Sequence, residues 1–217
     1  MTLDDTLVVL DTCVLLPPRL SDVLMDLRAQ KLFSAHWTLD IEAEYVRNMQ
    51  VVYGLPEHMV LRRLSAMKRC CPEWQVEMSS EDFWAVPSGV AASDRHVAAA
   101  ALCLRRHAEM GRDAADWGRA CNVLLLTENE RDMARQQMKS LGVRVLRPGA
   151  FLNEAYASDP EAVERAIACT QKDLKSPPYT LAELLDVLYK AGARTMVAAL
   201  EGKWRLSRRA RTSPRKT

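Results

Sequence analysis

The sequence predicts an α/β fold with a mainly parallel central sheet flanked by helices, plus a C-terminal helical extension. Residues 7–10 and 123–126 are short runs that are apolar throughout, as is typical of parallel strands buried on both faces. Strand-like segments alternate with segments of helical periodicity, which indicates βαβ units. After about residue 159 only helical periodicity remains.

The first half of the chain is predicted to contain strands separated by helices. The first strand, residues 7–10, ends abruptly at Asp11, and Pro17-Pro18 then begins a helix to about Ala29. The next elements are a strand over 32–37, a helix that Thr38 or Asp40 caps and that ends near Val52, a helix from Pro56 to Cys70, and a candidate strand over 74–78. The proline, glycine and serines of residues 79–92 predict a loop.

The second half is predicted to complete the sheet and to end in helices. Ser93 is suited to cap a helix over 94–110. The elements that follow are a polar connection over 111–118, a strand over 123–126 ending at Thr127, a helix over 130–141 closed by Gly142, a strand over 143–146, and a short helix from Pro148. The extension contains helices over 160–173 and 180–201, the second with a capping box of Thr180 and Glu183. Its leucine stripe either packs on the core or faces a partner.

Length and composition favour one domain with appendages. The chain has 217 residues, 48% of them hydrophobic, which suits one packed domain over 1–155, a helical extension over 156–202 and a basic, disordered tail over 203–217. No apolar run approaches the roughly 18 to 20 residues of a membrane span. Asp4 and Asp5 argue against a secretory signal. We therefore expect a soluble cytoplasmic protein with no membrane partner.

The charge is asymmetric along the chain. The formal net charge is +2, but the tail holds seven of the 30 basic residues and none of the 28 acidic ones, so the rest of the chain carries −5. Basic tails of this kind bind phosphate backbones through their lysine and arginine side chains. A solvated terminus without a partner is the alternative interpretation.

The six cysteines do not indicate a zinc site or a disulfide framework. None belongs to a C-x-x-C pair, and the four histidines lie in no close pair. We therefore predict that most of the thiols are small apolar core residues. They are Cys13, Cys70, Cys71, Cys103, Cys121 and Cys169.

Acidic and amide side chains recur beside the predicted strand ends. A carboxylate at the rim of a buried sheet is costly unless a cation or hydrogen-bond donors meet it, and Asp11 holds that position. Because the carboxyl ends of parallel strands share one edge, these side chains are expected to converge. They are Asp11, then Asp40, Glu42 and Glu44 after the second strand, Asp94 at the head of a helix, and Asn129 and Asp132 after Thr127. Each of them can instead be a helix cap or a solvated residue.

Several converging carboxylates require a stabilising partner. Like charges at close range raise each other's pKa and destabilise the empty fold, and a divalent cation removes that penalty. Ligands that are all oxygen select Mg²⁺ or Mn²⁺ over zinc. An ion of this kind polarises a phosphodiester and activates water, so the pattern is compatible with phosphodiester hydrolysis in which no side chain acts as the nucleophile.

Five stretches of the sequence stand in an order that is specific when taken together. They are LVVLDTCVLL (7–16), HWTLDIEAEYVRNM (36–49), SDRHVAAAAL (93–102), LLLTENERDM (124–133) and VRVLRPGAFL (143–152). With them the chain resembles the PIN domain, a metal-dependent ribonuclease fold built as a three-layer sandwich. The resemblance covers most of residues 5–155, and its last two stretches are the most specific.

The resemblance implies a set of site residues. By motif, the metal ligands are Asp11, Glu44 (with Glu42 as its competitor), Asp94 and Asp132. Thr127 and Asn129 of the T-x-N-x-x-D turn would orient water, substrate or a ligand carboxylate. The family often has aspartate where Asn129 stands and phenylalanine where Met133 stands, which leaves the fourth ligand open.

The resemblance also implies a function and partners. Many bacterial PIN domains are toxins of VapBC-type toxin–antitoxin modules, which implies an endoribonuclease using Mg²⁺ or Mn²⁺, with RNA as substrate, a cognate antitoxin as partner and a homodimer as assembly. The alternative is a PIN-like RNA- or protein-binding module with a degenerate site. A phosphatase with an aspartate nucleophile fits less well, because Asp11-Thr12-Cys13 lacks the D-x-D that it uses.

Overall fold

The computed structural model describes residues 5–110, 122–175 and 178–205. Its centre is a four-stranded sheet in which every pairing is parallel. The strands are β1 (Thr6–Leu10), β2 (Ser34–His36), β3 (Asn122–Leu126) and β4 (Val143–Leu146), in the order β2-β1-β3-β4. Helices flank the sheet and continue after it, so the predicted α/β class is confirmed.

Helices fill the connections between the strands and form the C-terminal part of the chain. They are α1 (Thr12–Leu15), α2 (Pro18–Ala29), α3 (Leu39–Tyr53), α4 (Glu57–Cys70), α5 (Ser80–Trp84), α6 (Arg95–Met110), α7 (Arg135–Ser140), α8 (Pro148–Ser158), α9 (Pro160–Asp173), α10 (Leu181–Lys190) and α11 (Arg194–Lys203). The connection predicted over 111–118 lies outside the described residues. Within the described ranges, no helix has both the length and the apolar character needed to cross a membrane.

The strand order places a topological switch point between β1 and β3. From β1 the chain moves outward to β2, and from β3 it moves outward to β4 at the other edge. In parallel sheets, ligands bind outside the carboxyl ends of the strands at such a point, because the two connections leave in opposite directions and open a crevice. Asp11 follows β1 and Thr127 follows β3, so both residues lie at this switch point, where such a crevice is expected.

The two central strands are buried on both faces. Every residue of β1 is at most 5% exposed, and residues 123–126 of β3 are at most 1% exposed. Helix α6 packs on both strands through an alanine-rich stretch, residues 98–101, that is fully buried. Coverage of both faces explains why these strands are apolar at every position after the first, rather than alternating.

Residues 74–78 are not a strand of the sheet, although the sequence favoured one there. Gln75 forms one isolated parallel bridge with Trp37, just beyond β2. The Trp74 ring stacks on the Trp37 ring, with centroids 5.2 Å apart. The apolar character of this segment therefore reflects side-chain packing beside the edge of the sheet.

Residues 79–92 are not wholly a loop, because they contain α5. Ser79 and Asp82 form a capping box in which the Ser79 N–H and hydroxyl donate to the Asp82 carboxylate at 2.8 and 2.9 Å. Arg106 of α6 binds the same carboxylate at 2.9 Å. The sequence contains the Ser-x-x-Asp pattern of this capping box, but the proline and glycine that follow it are typical of a loop.

Two long predicted helices are each divided in the structure. The helix predicted over 130–141 is a 3-10 turn followed by α7, and between them Ala134 is left-handed, with φ of 43°. The helix predicted over 180–201 is divided into α10 and α11 at Gly192, whose φ is 97°. Glycine adopts positive φ without steric cost and alanine does not, so only the second break had a signal in the sequence.

The C-terminal helices pack on the sheet domain. Helix α9 packs along α2, and α8 packs on α11. The Phe151 ring of α8 meets the Phe33 ring edge to face, with centroids 5.0 Å apart. The predicted capping box of Thr180 and Glu183 begins α10. The leucines at 184, 185 and 188 are fully buried, so this stripe belongs to the core rather than to a partner.

His36 at the end of β2 is buried in its neutral form. The side chain is 3% exposed, and burial, aided by the charge of Arg28, lowers its pKa from 6.5 to about 4. The unfolded chain takes up this proton near pH 6.5, so the stability that depends on neutral His36 is present above that pH and is lost as the pH falls to about 4. We expect the free energy of unfolding to fall by up to ~3 kcal/mol across this range.

Urea denaturation at about pH 7 and about pH 4.5 tests this dependence. A His36→Phe variant keeps a ring of similar size and loses the titration, so its stability should differ less between the two pH values. His58 is exposed on α4, and a His58→Gln variant should retain the wild-type dependence. A His36→Phe protein with wild-type pH dependence would show that another group controls acid unfolding.

Candidate active site

Asp11 lies at the point where β1 ends. Its N–H donates to the carbonyl oxygen of Leu126 at 3.1 Å, which continues the pairing of β1 with β3 by one residue. Thr127 is fully buried, and its hydroxyl donates to Asp11 Oδ2 at 2.6 Å. The parallel pairing of the two strands therefore fixes the Asp11 carboxylate relative to the loop that follows β3.

The thiol of Cys13, which the sequence analysis did not place among the candidate site residues, also lies in this site. Cys13 Sγ donates to Asp11 Oδ2 at 2.9 Å and lies 3.5 Å from the Thr127 hydroxyl oxygen. The sulfur accepts from the N–H of Glu128 at 3.2 Å. Burial, followed by the negative charge of Asp11, raises the pKa of Cys13 to about 12, so the group stays a protonated donor at neutral pH.

The other described cysteines divide between the core and the surface. Cys71 and Cys103 are buried, as predicted, whereas Cys70 and Cys169 are exposed. The prediction that most of the thiols are core residues is therefore wrong for the described cysteines, of which Cys13, Cys70 and Cys169 are not buried. For Cys13, its position two residues after a strand-end aspartate was the available signal in the sequence. The sixth cysteine, at position 121, lies outside the described residues.

Glu44 approaches the site from α3 through Thr12. The Thr12 hydroxyl donates to Glu44 Oε2 at 2.9 Å, and His96 Nε2 lies 3.6 Å from the same oxygen. Asn48, one turn further along α3, donates from Nδ2 to the other carboxylate oxygen at 3.5 Å. Sequence reasoning did not single out His96, although it follows Asp94 by only two residues.

The other acids of this helix are engaged elsewhere. Glu42, the competitor of Glu44, binds Lys68 of α4 at 2.7 Å, and Lys68 Nζ also lies 4.3 Å from the centroid of the Trp74 ring. Asp40 is exposed in the first turn of α3. In the described contacts of these three acids, Glu44 alone reaches a neighbour of Asp11.

Asp94 joins the site through Asn129. Ser93 does not cap the following helix as predicted; its hydroxyl donates to Asp94 Oδ1 at 2.9 Å, and α6 begins after a 3-10 turn. Asn129 Nδ2 donates to Asp94 Oδ2 at 3.1 Å, and the Asn129 N–H donates to the Thr127 hydroxyl oxygen at 3.0 Å. Asn129 therefore connects Asp94 to the loop after β3, whose Thr127 binds Asp11.

Asp132 is placed differently from the other predicted ligands. It is exposed in the 3-10 turn after Asn129, and its carbonyl oxygen accepts from the Ala91 N–H at 2.9 Å. In the part of the chain that the structure describes, no hydrogen bond or ion pair joins its carboxylate to the other predicted ligands. The main chain of Asp132 thus secures the segment that precedes Asp94.

Within residues 5–110, 122–175 and 178–205, no lysine or arginine forms an ion pair with Asp11, Glu44 or Asp94. Acids elsewhere on the protein form short ion pairs with basic side chains, as Asp82 does with Arg106 at 2.9 Å. Asp11, Glu44 and Asp94 instead accept hydrogen bonds from neutral hydroxyl, thiol and amide groups. Their negative charge is therefore available to a cation.

The donors suit a hard divalent cation by their chemistry. The carboxylate, hydroxyl and amide groups at the crevice offer oxygen ligands, which Mg²⁺ and Mn²⁺ prefer. Among the described residues, no three histidine, cysteine, aspartate or glutamate side chains are close enough together to hold a metal ion. Mg²⁺ is commonly bound through one or two carboxylates and keeps several waters, so the arrangement fits a hydrated ion better than a closed zinc cage.

The loop of the site is tied to the C-terminal helices. Arg147, the residue before α8, binds the Glu128 carboxylate at 3.1 Å, and its N–H donates to Glu130 at 3.1 Å. Glu128 is also the residue whose N–H donates to Cys13. The start of α8 therefore braces the segment that carries Thr127.

The C-terminal helices are similar to a known family. Residues 148–202, about a quarter of the chain, match the family model of the VapC50 C-terminal domain, a domain of VapC toxins. The match spans α8 to α11 and contains none of the candidate site residues, which all precede it. No curated protein and no solved structure matches the chain.

Proposed function

We propose that this chain is a metal-dependent endoribonuclease and the toxin of a type II toxin–antitoxin module. The observation that carries the proposal is the hydrogen-bonded pair of Asp11 and Thr127 at the switch point of the sheet. Two further carboxylates, Glu44 and Asp94, are joined to it through neighbouring side chains, and no described lysine or arginine pairs with them. The PIN-like order of motifs and the similarity of residues 148–202 to the VapC50 C-terminal domain support it.

The role that we propose for each site residue is based on its hydrogen bonds and on the PIN resemblance. By the PIN resemblance the ligands would be Asp11, Glu44, Asp94 and Asp132. Because no three metal-binding side chains are gathered among the described residues, some of these carboxylates would hold a hydrated ion through its waters. Bound Mg²⁺ or Mn²⁺ would polarise the scissile phosphate and lower the pKa of water. Thr127 and Asn129 orient the carboxylates that they contact. No side chain of the site is needed as a nucleophile.

The substrate of this nuclease would be RNA, and the enzyme would act in the cytoplasm. A toxin of the VapC type implies a cognate VapB antitoxin that binds it and keeps it silent. A homodimer is the assembly that we propose on the same resemblance.

The test is cleavage of total RNA by the purified full-length chain in Mg²⁺, in Mn²⁺ and in a chelator. We expect cleavage with either ion and none in the chelator, and mapping of the new 5′ ends would define the cleaved sites. Mn²⁺ should also raise the melting temperature, because a ligand that binds only the folded state stabilises it by mass action. Cleavage that survives chelation, or no cleavage with either ion, would contradict the proposal.

One observation favours a second candidate function. Among the described residues no three metal-binding side chains are gathered, and Asp132 stands apart from the other acids. A PIN-like module with a degenerate site would bind RNA or a protein partner without cleaving it. RNA binding that persists in a chelator, with no cleavage under any metal condition, would favour this alternative.

The basic tail is predicted to strengthen RNA binding. The first two residues of the predicted tail, Lys203 and Trp204, belong to the folded part of the chain. Lys203 is the last residue of α11 and binds Glu164 at 2.7 Å, and Trp204 is partly buried against the core. A variant ending at Arg205 removes five basic residues, all outside the described part of the chain. Each phosphate contact contributes about −0.7 to the log–log slope of affinity against salt on single strands, so this variant should bind more weakly and with a flatter slope.

Two measurements distinguish the contribution of the tail to RNA binding from the contribution of the site to cleavage. A full-length variant with the five basic residues replaced by glutamine keeps the tail length and should behave like the truncation if charge is the cause. Cleavage of a short RNA at saturating concentration should persist in both, because the site lies at Asp11. An unchanged RNA affinity and salt slope would reject the RNA role and leave a solvated tail or an acidic protein partner.

A further inference from the structure

We infer that Cys13 is a positioning residue for Asp11: its thiol fixes the Oδ2 side of the carboxylate and thereby leaves Oδ1 as the oxygen that would hold a cation. The inference rests on the proposed function, because a positioned carboxylate matters only if Asp11 binds a metal. Neither the PIN resemblance nor the similarity to VapC50 assigns a role to this cysteine.

Two donors converge on one carboxylate oxygen. The Thr127 hydroxyl lies 2.6 Å and the Cys13 thiol 2.9 Å from Asp11 Oδ2. Among the residues that the structure describes, no side chain donates to Oδ1. A carboxylate held at one oxygen by two donors has little freedom to rotate, so the direction of its second oxygen is fixed as well.

Cys13 is itself held from the opposite side. Its sulfur accepts from the Glu128 N–H at 3.2 Å, and Glu128 is 115 positions away in the sequence. Its main chain lies in the short helix α1, where the N–H of Val14 donates to the Asp11 carbonyl oxygen at 3.0 Å. The thiol therefore couples the loop after β3 to the carboxylate after β1, which an apolar side chain cannot do.

Among the described cysteines, the buried thiols of Cys71 and Cys103 make different contacts. Cys71 Sγ lies 3.6 Å from the Met25 sulfur, and Cys103 donates to the Glu77 carbonyl oxygen at 3.3 Å. Neither contact involves a residue of the site. Cys71→Ala is therefore a matched control, in which a buried thiol is removed away from Asp11.

Four variants separate positioning from packing. Partners that hold a metal ligand typically contribute about 10- to 100-fold in metal affinity or activity, so Cys13→Ala should weaken Mn²⁺ binding, measured by calorimetry without RNA, by about tenfold or more. Cys13→Val fills at least the volume of the thiol but has no donor, and it should show the same loss. Cys13→Ser retains a donor and an acceptor and should recover most of the affinity. Cys71→Ala should bind Mn²⁺ as the wild type does, even if it melts lower.

Amide hydrogen exchange at Glu128 adds a readout that needs no metal. Without the sulfur, the Glu128 N–H loses its acceptor, so its exchange should be faster in the alanine and valine variants and close to wild type in Cys13→Ser. Wild-type Mn²⁺ affinity in Cys13→Val, beside a wild type that binds Mn²⁺, would overturn the positioning role and leave the proposed function intact. A wild-type chain that neither binds Mn²⁺ nor cleaves RNA would overturn both.

Discussion

An Asp11→Asn protein is expected to lose RNA cleavage by about a thousandfold or more while keeping its fold, a loss that corresponds to ~4 kcal/mol of transition-state stabilisation. Asparagine has the shape of aspartate, and its oxygen still accepts from the Thr127 hydroxyl and the Cys13 thiol. The substitution removes the negative charge with which a divalent cation at the switch point would interact. Cleavage should therefore fall much further than stability.

Single-turnover cleavage of a labelled RNA in Mn²⁺, together with thermal melting, measures the two effects separately. Asp5→Asn is the matched control, because Asp5 is exposed just before β1, at the opposite end of the strand from Asp11. The same loss of charge there should leave cleavage unchanged. Undiminished cleavage by Asp11→Asn would remove Asp11 from the site, and loss of the fold would assign it a structural role.

Gly149→Ala is expected to destabilise the protein by about 3 kcal/mol or more, the upper range for an overpacked core. Gly149 lies in the first turn of α8 against the turn between α10 and α11. A Cβ atom there would lie 2.3 Å from the Ala191 carbonyl oxygen and 2.5 Å from Gly192 Cα. These are main-chain atoms, so relief requires two helices to separate. Urea denaturation at neutral pH measures the change.

The control for this prediction changes glycine to alanine where space is free. Gly202 lies in α11, and a Cβ atom there would meet nothing within 4 Å. Gly202→Ala should therefore stabilise the protein by about 0.5 to 1 kcal/mol, because alanine loses less conformational freedom in a helix. The two substitutions are chemically identical and should have opposite signs. A Gly149→Ala protein as stable as the wild type would show that α8 does not pack this closely.

The fold was predictable where burial or local chemistry determines it. β1 and β3 are apolar at almost every position because both of their faces are covered, and α10 begins at the predicted capping box. The left-handed Ala134 gave no local signal, because alanine does not favour that conformation. The stacked rings of Trp37 and Trp74 explain apolar residues that resembled a strand. The conformation of Ala134 and the stacking of the two tryptophans depend on contacts in the folded protein, which a local sequence pattern does not reveal.

The candidate site was predictable as a set of acids but not in its details. Glu42 and Glu44 lie two residues apart in one helix and share the same chemistry, so periodicity does not separate them. Lys68 from α4 binds the first and Thr12 contacts the second, and both contacts are between distant parts of the chain. The place of Cys13 likewise depends on a loop that follows β3.

Because the candidate site requires β1 to pair with β3, it can form only late in the synthesis of the chain. Asp11 and Thr127 are 116 positions apart, so the first carboxylate leaves the ribosome long before its hydroxyl partner has been translated. Contacts of such separation also close more slowly than local helices form, because the intervening chain must first be ordered. A nascent chain therefore carries the acids of the site without their arrangement. For a protein proposed to cut RNA, the active arrangement would therefore arise only after most of the chain has been synthesised.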